Sequence, residues 1–353
     1  MTITREKISE ILKKNNINLV YREENINLWN EVFNSLESKP VRYLNSSIDY
    51  YLKYSHDQGI DCTDLSCIIF SDINPIAIWP LSMNKELSSL MLSSHGSPIL
   101  EPLFINCPKK TSKNTTRNCI NAASDIANEL NMKSWLSFSN VVNNFSLSDW
   151  HLIPMSLGAS ISSMHELYVD LNMPIDEIKS NFRKSYRPLV NLGEKLWDIT
   201  LINTDSSLKK IEEHINEFRQ LHQKVSGKKT RSTESWNFQR DCIANNEAFL
   251  VCLRDETDKL IGAGYFSFTS DEGVYAIAAY DRNLFEKPLG HIVQFKAIKE
   301  LQNMGCNWYY IGRRSFENDF PKPSDKEISI SKFKEGFSTN VFPSFTLEVP
   351  ANL

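Results

Sequence analysis

The chain has 353 residues, 41% of them hydrophobic, enough for a sizeable core and, at ~150 residues per domain, for two domains. Its 39 Lys and Arg against 43 Asp and Glu give a net charge of -4, which argues against binding of long nucleic acid across a broad basic face and leaves room for a local contact with one RNA end. Seven scattered cysteines without a C-x-x-C pair argue against a disulfide framework or a zinc site, and no apolar run reaches the ~20 residues of a membrane span, so the expected setting is a reducing cytoplasm.

In chain order, the patterning predicts helices over 26–36 and 48–58, then strands over 65–71, 76–83 and 87–93. A Pro-rich connection over 96–108 leads to an amphipathic helix over 117–130 and a strand at 136–138. The second half repeats this order. Helices over 208–225 and 233–245 precede strands over 248–254, 260–268 and 274–280, a charged loop, a helix over 288–303 and a strand over 308–311. Glu129, Leu130 and Trp135 even recur in the same order as Glu300, Leu301 and Trp308. Repetition of a whole strand-strand-strand-helix-strand unit predicts a duplicated α/β (α+β) domain with a mixed, largely antiparallel sheet flanked by helices, divided as 1–163 and 164–353.

Between the halves, 166–171 reads as a strand and 174–196 as a basic connecting helix that Pro188 should kink or restart. A second basic group, Lys224, Lys228, Lys229 and Arg231, falls in a loop between two helices, where binding groups are often carried. Farther on, Pro288 suits the first position of a helix whose apolar face is Leu289, Val293, Ala297 and Leu301. The N-terminus of that helix, Leu289-Gly290-His291, with Arg282 and Lys287 beside it, is a candidate site for a phosphate or carboxylate. Its structural alternative is an ordinary packed helix start.

Three stretches carry a family resemblance: KSNFRKSYRPLVNLGEKLW at 179–197, KPLGHIVQFKAIKELQNMGCNWYYIG at 287–312, and ISKFKEGF at 330–337. In this order, on a duplicated unit, they resemble the FemAB/FemX branch of the GNAT-like (acyl-CoA N-acyltransferase) superfamily. The resemblance implies two tandem GNAT-like domains and an N-acyltransferase. Its product would be an amide on the amino group of a cell-envelope or surface-glycan precursor, such as a nucleotide-linked amino sugar. The donor would be aminoacyl-tRNA or acyl-CoA, used as co-substrate with no tightly bound cofactor. The partners implied are a phosphate-bearing or lipid-linked acceptor, the acceptor end of a tRNA, and peripheral membrane contact. The chain departs from the branch at Tyr310, where an acidic residue often stands, and at Ser338, where Gly follows the final Phe. The pyrophosphate loop of CoA-binding acetyltransferases is reduced to Lys287-Pro288-Leu289-Gly290. A binding module without turnover and an ordinary acetyl-CoA acetyltransferase are the alternative readings.

Acyl transfer to an amine needs a proton acceptor and donors aimed at the developing oxyanion, and no metal. Asp281, Glu317 and Asp319 are the candidate bases in loops around the last strand-helix-strand unit. Tyr280, Tyr309 and Tyr310 are candidate proton donors, with core packing as their ordinary role. Arg313 and Arg314 follow a strand directly and should stand at the sheet end, suited to bidentate phosphate recognition. Lys332 and Lys334 alternate with Ser331 and Phe333 in an expected strand, which would put both lysines on one face.

Overall fold

The structure is a computed structural model and describes residues 4–86, 89–142 and 145–352. The chain divides into two compact units, residues 1–164 with 343–353, and residues 165–342.

The first unit opens with α1 (Arg5–Lys14), β1 (Asn18–Tyr21), α2 (Ile26–Asn34) and α3 (Asn45–Asp57). Next come β2 (Asp61–Asp64), β3 (Cys67–Ser71), β4 (Asn74–Trp79), β5 (Ser82–Glu86), β6 (Ser89–Ser93) and β7 (Leu103–Phe104). Leu87 and Ser88, the start of the strand expected at 87–93, lie outside the described residues. The strand expected over 76–83 is two, because Pro80 cannot donate to a ladder and marks the break between β4 and β5. These strands form two small sheets, β1-β3-β4-β7 and β2-β5-β6. The unit continues with α4 (Lys109–Glu129), β8 (Ser134–Asn140) and α5 (Asp149–Ser156). Helix α4 starts eight residues before its predicted position, since Pro108 takes the N-cap and the apolar periodicity begins only at Thr116 and Cys119.

The second unit starts within β9 (Ser160–Asp170) and runs through α6 (Ile175–Asn181), α7 (Tyr186–Leu196) and β10 (Asp198–Ile202). It continues with α8 (Leu208–Ser226), α9 (Thr233–Ala244), β11 (Ala248–Arg254), β12 (Leu260–Phe268) and β13 (Glu272–Tyr280). Last are α10 (Leu289–Asn303), β14 (Trp308–Arg314) and α11 (Asp325–Glu335), and β15 (Asn340–Pro350) has only its first three residues in this unit. Its strands lie in the order β10-β11-β12-β13-β14-β9. Both faces of this sheet are covered. Phe249, Val251 and Leu253 of β11 point into a core with α7 and α10, while Leu250 and Cys252 point into a second core with α8 and α9. A strand buried on both faces reads as the continuous apolar run seen at 248–253.

Three expectations are corrected here. The segment 330–337 is helical, in α11 and the turn after it, not a strand: Ser324 and Glu327 form a capping box that starts α11, and Lys332 and Lys334 fall in its last turn. On a helix two residues apart means about 200° of rotation, so Lys332 and Lys334 do not share a face. The connecting helix is broken at 182–185, and Pro188 sits in the first turn of α7, where its missing N–H is not needed. The C-terminal residues 343–353 group with the first unit, not with the second. There β15 pairs with β8 from Ser344↔Asn140 to Pro350↔Ser134, and Leu347, Val349 and Ala351 are buried in the first unit's core.

Candidate functional site

Among the described residues, β13 and β14 are the parallel strand pair of the second unit. Their ladder is short, Glu272↔Trp308, Gly273↔Tyr309 and Val274↔Tyr310. Beyond Val274, β13 stays paired with β12 on its other side through Gly262↔Tyr280, whereas β14 follows β9 to Arg314↔His165. The two strands therefore part, leaving a gap bordered by the edge of 275–280 and by Ile311–Arg314. A bulge between Tyr310 and Gly312 reinforces the divergence, and Gly312 adopts φ +134, which an L side chain resists.

Lys334 occupies this place. A Cβ on Gly312 would lie 2.5 Å from Lys334 Nζ, so the missing side chain is the space that admits the ammonium. The same Nζ stands 5.4 Å from the centroid of the Tyr275 ring. Burial lowers the Lys334 pKa, and the charge of Glu166 opposes that shift in part. Glu166, on β9, is buried and accepts from the Tyr310 hydroxyl at 2.5 Å, with Arg313 Nε 3.8 Å from its other oxygen. The floor is polar too: Tyr309 Oη donates to Gln294 Oε1 at 2.6 Å, and the Tyr275 and Tyr280 hydroxyls are 3.1 Å apart. Burial, moderated by hydrogen bonds, pushes the Tyr275 phenol up to about 12, so it is neutral and can donate.

The candidates read from sequence divide into those the structure brings together and those it does not. Tyr310, Arg313 and Lys334 converge around Glu166. Arg314 turns to α11, with Nε 3.1 Å from Glu335 and Nη1 3.2 Å from Ser331 Oγ, which makes it a structural tie. Lys332 is exposed and its carbonyl accepts from Arg183. Glu317 is exposed in a loop, and Arg282 is exposed in the single 3-10 turn Arg282–Leu284. Asp281 is a weaker base than a free carboxylate: the Asn283 N–H and the Lys224 ammonium, at 3.1 Å, hold its carboxyl below the usual range.

The expected anion site at Leu289-Gly290-His291 is filled by rings. A Cβ on Gly290 would meet Phe333 at 2.9 Å, so this glycine serves close packing of α10 on α11. His291 is ringed by Tyr186, Phe333 and Phe337 at 4.5, 5.2 and 6.0 Å, and burial, followed by the charge of Arg183, lowers its pKa to about 4. It is neutral near pH 7 and adds no charge to an anion site.

The second basic group does border a cleft. A cavity of about 150 Å³ lies between α8, the loop after it and α9, lined among others by Arg219, His222, Lys229, Arg231 and Trp236. The Arg231 guanidinium stands 5.7 Å from the Trp236 ring centroid. Lys228 is exposed beside it. One turn back, the Lys224–Asp281 ion pair joins α8 to the end of β13, so the cleft adjoins the strand that borders the gap.

Glu166 was missed by sequence reading. It lies 144 residues from Tyr310, in a strand whose neighbours are known only from the pairing. In the first unit, Asp64, Ser66 and His95 also meet, but Asp64 and Ser66 both contact Nε2 of His95, at 3.1 and 3.4 Å. A nucleophile relay needs the two ring nitrogens to have different partners, so this is a buried polar tie with Arg22, not a triad.

The duplicated strand-and-helix units and the parting parallel strands make a tandem GNAT-type fold, which the chain shares with several solved structures. FemX superposes with a TM-score of 0.60 at 11% identity, over 97% of this chain and 96% of that one. The C-terminal domain of a putative lysylphosphatidylglycerol synthetase from Agrobacterium fabrum gives 0.59 at 9% identity, over 91% and 90%. A tandem GNAT protein from the clavulanic acid biosynthesis pathway gives 0.51 at 11%, over 96% and 99%. No protein-family model matches the sequence, and no curated protein matches it.

Proposed function

We propose that the second unit is an N-acyltransferase that joins an aminoacyl or acyl group to an amine on a phosphate-bearing cell-envelope precursor. The observation that carries this reading is the Lys334 ammonium, part-desolvated and set against Gly312 where β13 and β14 part. A cation already desolvated at the reacting centre stabilises a developing oxyanion without reorganisation. Glu166, with Tyr310 on one oxygen, is the carboxylate placed to take the proton from the attacking amine, and Tyr310 can return a proton to the leaving oxygen or sulfur. Direct attack in a ternary complex needs no covalent enzyme intermediate, in keeping with the absence of a working triad among the described residues.

The acceptor's phosphate fits the cleft of Arg219, Lys229 and Arg231, where a guanidinium can take two oxygens at once. The lysyl group in the name of the lysylphosphatidylglycerol synthetase domain supports an aminoacyl donor, and the AcCoA in that of the tandem GNAT protein supports an acyl-CoA donor. The test is to incubate purified protein with charged tRNA or acyl-CoA and a panel of nucleotide-linked amino sugars, and to look for the added acyl mass. Product that disappears in Lys334→Met is the expected result. No product with any pair, alongside tight nucleotide binding, would replace this reading with a binding module.

A further inference from the structure

The start of α4 carries Lys109, Lys110, Lys113 and Arg117, all exposed. At 100° per residue these four fall within about 100° of one another and form a single stripe. Their position opposes the helix dipole, whose N-terminal end is already positive; no acidic residue stands in the first turn, and Pro108 provides no side-chain cap. Folding thus gains little from Lys109 and Lys110 in the first turn, whereas an anionic partner gains from the whole stripe.

Helix α5 lies alongside. Lys113 pairs with Asp149 at 3.5 Å, the first residue of α5. Trp150, His151, Ile153 and Pro154 of α5 are buried, Trp150 against Trp79 and Trp135. The opposite side, the row that begins at Asp149, carries Leu152 at 51% exposure and Met155 at 38%, flanked by Leu147 at 38% and Leu157 at 40%. Exposed apolar residues on one side of a helix mark an interaction surface, and here the Lys113–Asp149 pair joins that helix to the basic stripe.

We propose that this α4–α5 face of the first unit docks on an anionic lipid bilayer, with the cations among the headgroup phosphates and Leu152, Met155 and Leu157 at the headgroup–acyl boundary. Charge complementarity selects this occupant: apolar residues beside a basic stripe that holds four cations to the one carboxylate of Asp149 are the pattern of a surface-bound amphipathic element. The inference does not depend on the acyltransferase reading, because it uses other residues in the other unit.

The experiment is co-sedimentation of the full chain with vesicles of phosphatidylcholine alone or with a third phosphatidylglycerol. Binding is expected only to the anionic vesicles, and it should weaken as salt rises. Lysine near such a surface contributes roughly fivefold in partition, so Lys109→Ala with Lys110→Ala and Arg117→Ala should weaken binding roughly a hundredfold. Leu152→Ser with Met155→Ser should weaken it at least roughly tenfold. Lys209→Ala with Lys210→Ala, exposed on α8, should change nothing, and melting curves should show all variants folded. Three results would each overturn the proposal: no binding to anionic vesicles, equal binding to both vesicles, or a vesicle-free dimer that Leu152→Ser with Met155→Ser dissolves, which would assign the face to a second copy.

Discussion

Gly312→Ala tests the packing of Lys334 without any substrate. Ala at φ +134 costs about 1–3 kcal/mol in backbone strain, offset by about 0.4–1 kcal/mol from the less flexible unfolded chain. Its methyl group would also lie 2.5 Å from Lys334 Nζ and 3.4 Å from Cδ. The lysine end is flexible, so it can retreat, at the cost of an off-rotamer side chain of about 0.5–1.5 kcal/mol. Lys334→Ala removes that second cost and leaves the first. Urea melts of the wild type, both single variants and the double variant should therefore show Gly312→Ala to be about 1 kcal/mol less harmful when Lys334 is absent. A coupling below about 0.3–0.5 kcal/mol, the level at which independent sites add, would refute the contact and with it the account of why Gly stands at 312.

Lys334→Met should lower the acyl-transfer rate about 100- to 1000-fold, as loss of an oxyanion donor does, with melting temperature unchanged or raised because a part-buried charge is gone; a fall in stability with full turnover would reverse its role. Tyr310→Phe removes a charge-assisted bond to buried Glu166 and should cost about 1.5–3 kcal/mol in denaturant unfolding; a neutral effect would detach Tyr310 from the site. His291 has a folded pKa of about 4 against 6.5 for the free group, so between those values the unfolded chain binds the proton and the folded chain does not. Stability is thus lost as pH falls from 6.5 to 4, by about 1–2 kcal/mol for this partly exposed ring. His291→Phe should flatten that limb of the melting-temperature profile, and an unchanged slope would show that another group causes it.

Much of the second unit could be read in the sequence. The runs at 248–254, 260–268 and 274–280 are apolar enough to be strands in any context, and the four-residue recurrence of Leu289, Val293, Ala297 and Leu301 forms a helix on local pattern alone. The capping box at Ser324 and Glu327 was equally local and would have shown 330–337 to be helical, since Ser three residues before Glu is a helix-start signal. Strand β15 was a different case: its inward residues are buried by β8, some 200 residues earlier, so nothing near it in sequence defines its surroundings.

The sequence by itself determined the strand-strand-strand-helix-strand order of the second unit, its repetition earlier in the chain, and the residue types available for acyl transfer. Only the tertiary structure decided which of them meet. The repeated order does not extend to the pairing: in the second unit β14 joins β13 in parallel, while in the first β8 pairs with the C-terminal strand. Whether a parallel ladder stops after three pairs depends on the competing pull of β9 on β14, a contact between segments more than 130 residues apart. The same holds for the charges. Arg313 and Arg314 are neighbours of identical chemistry, yet one faces Glu166 and the other is tied to Glu335, because successive side chains of a strand point to opposite faces.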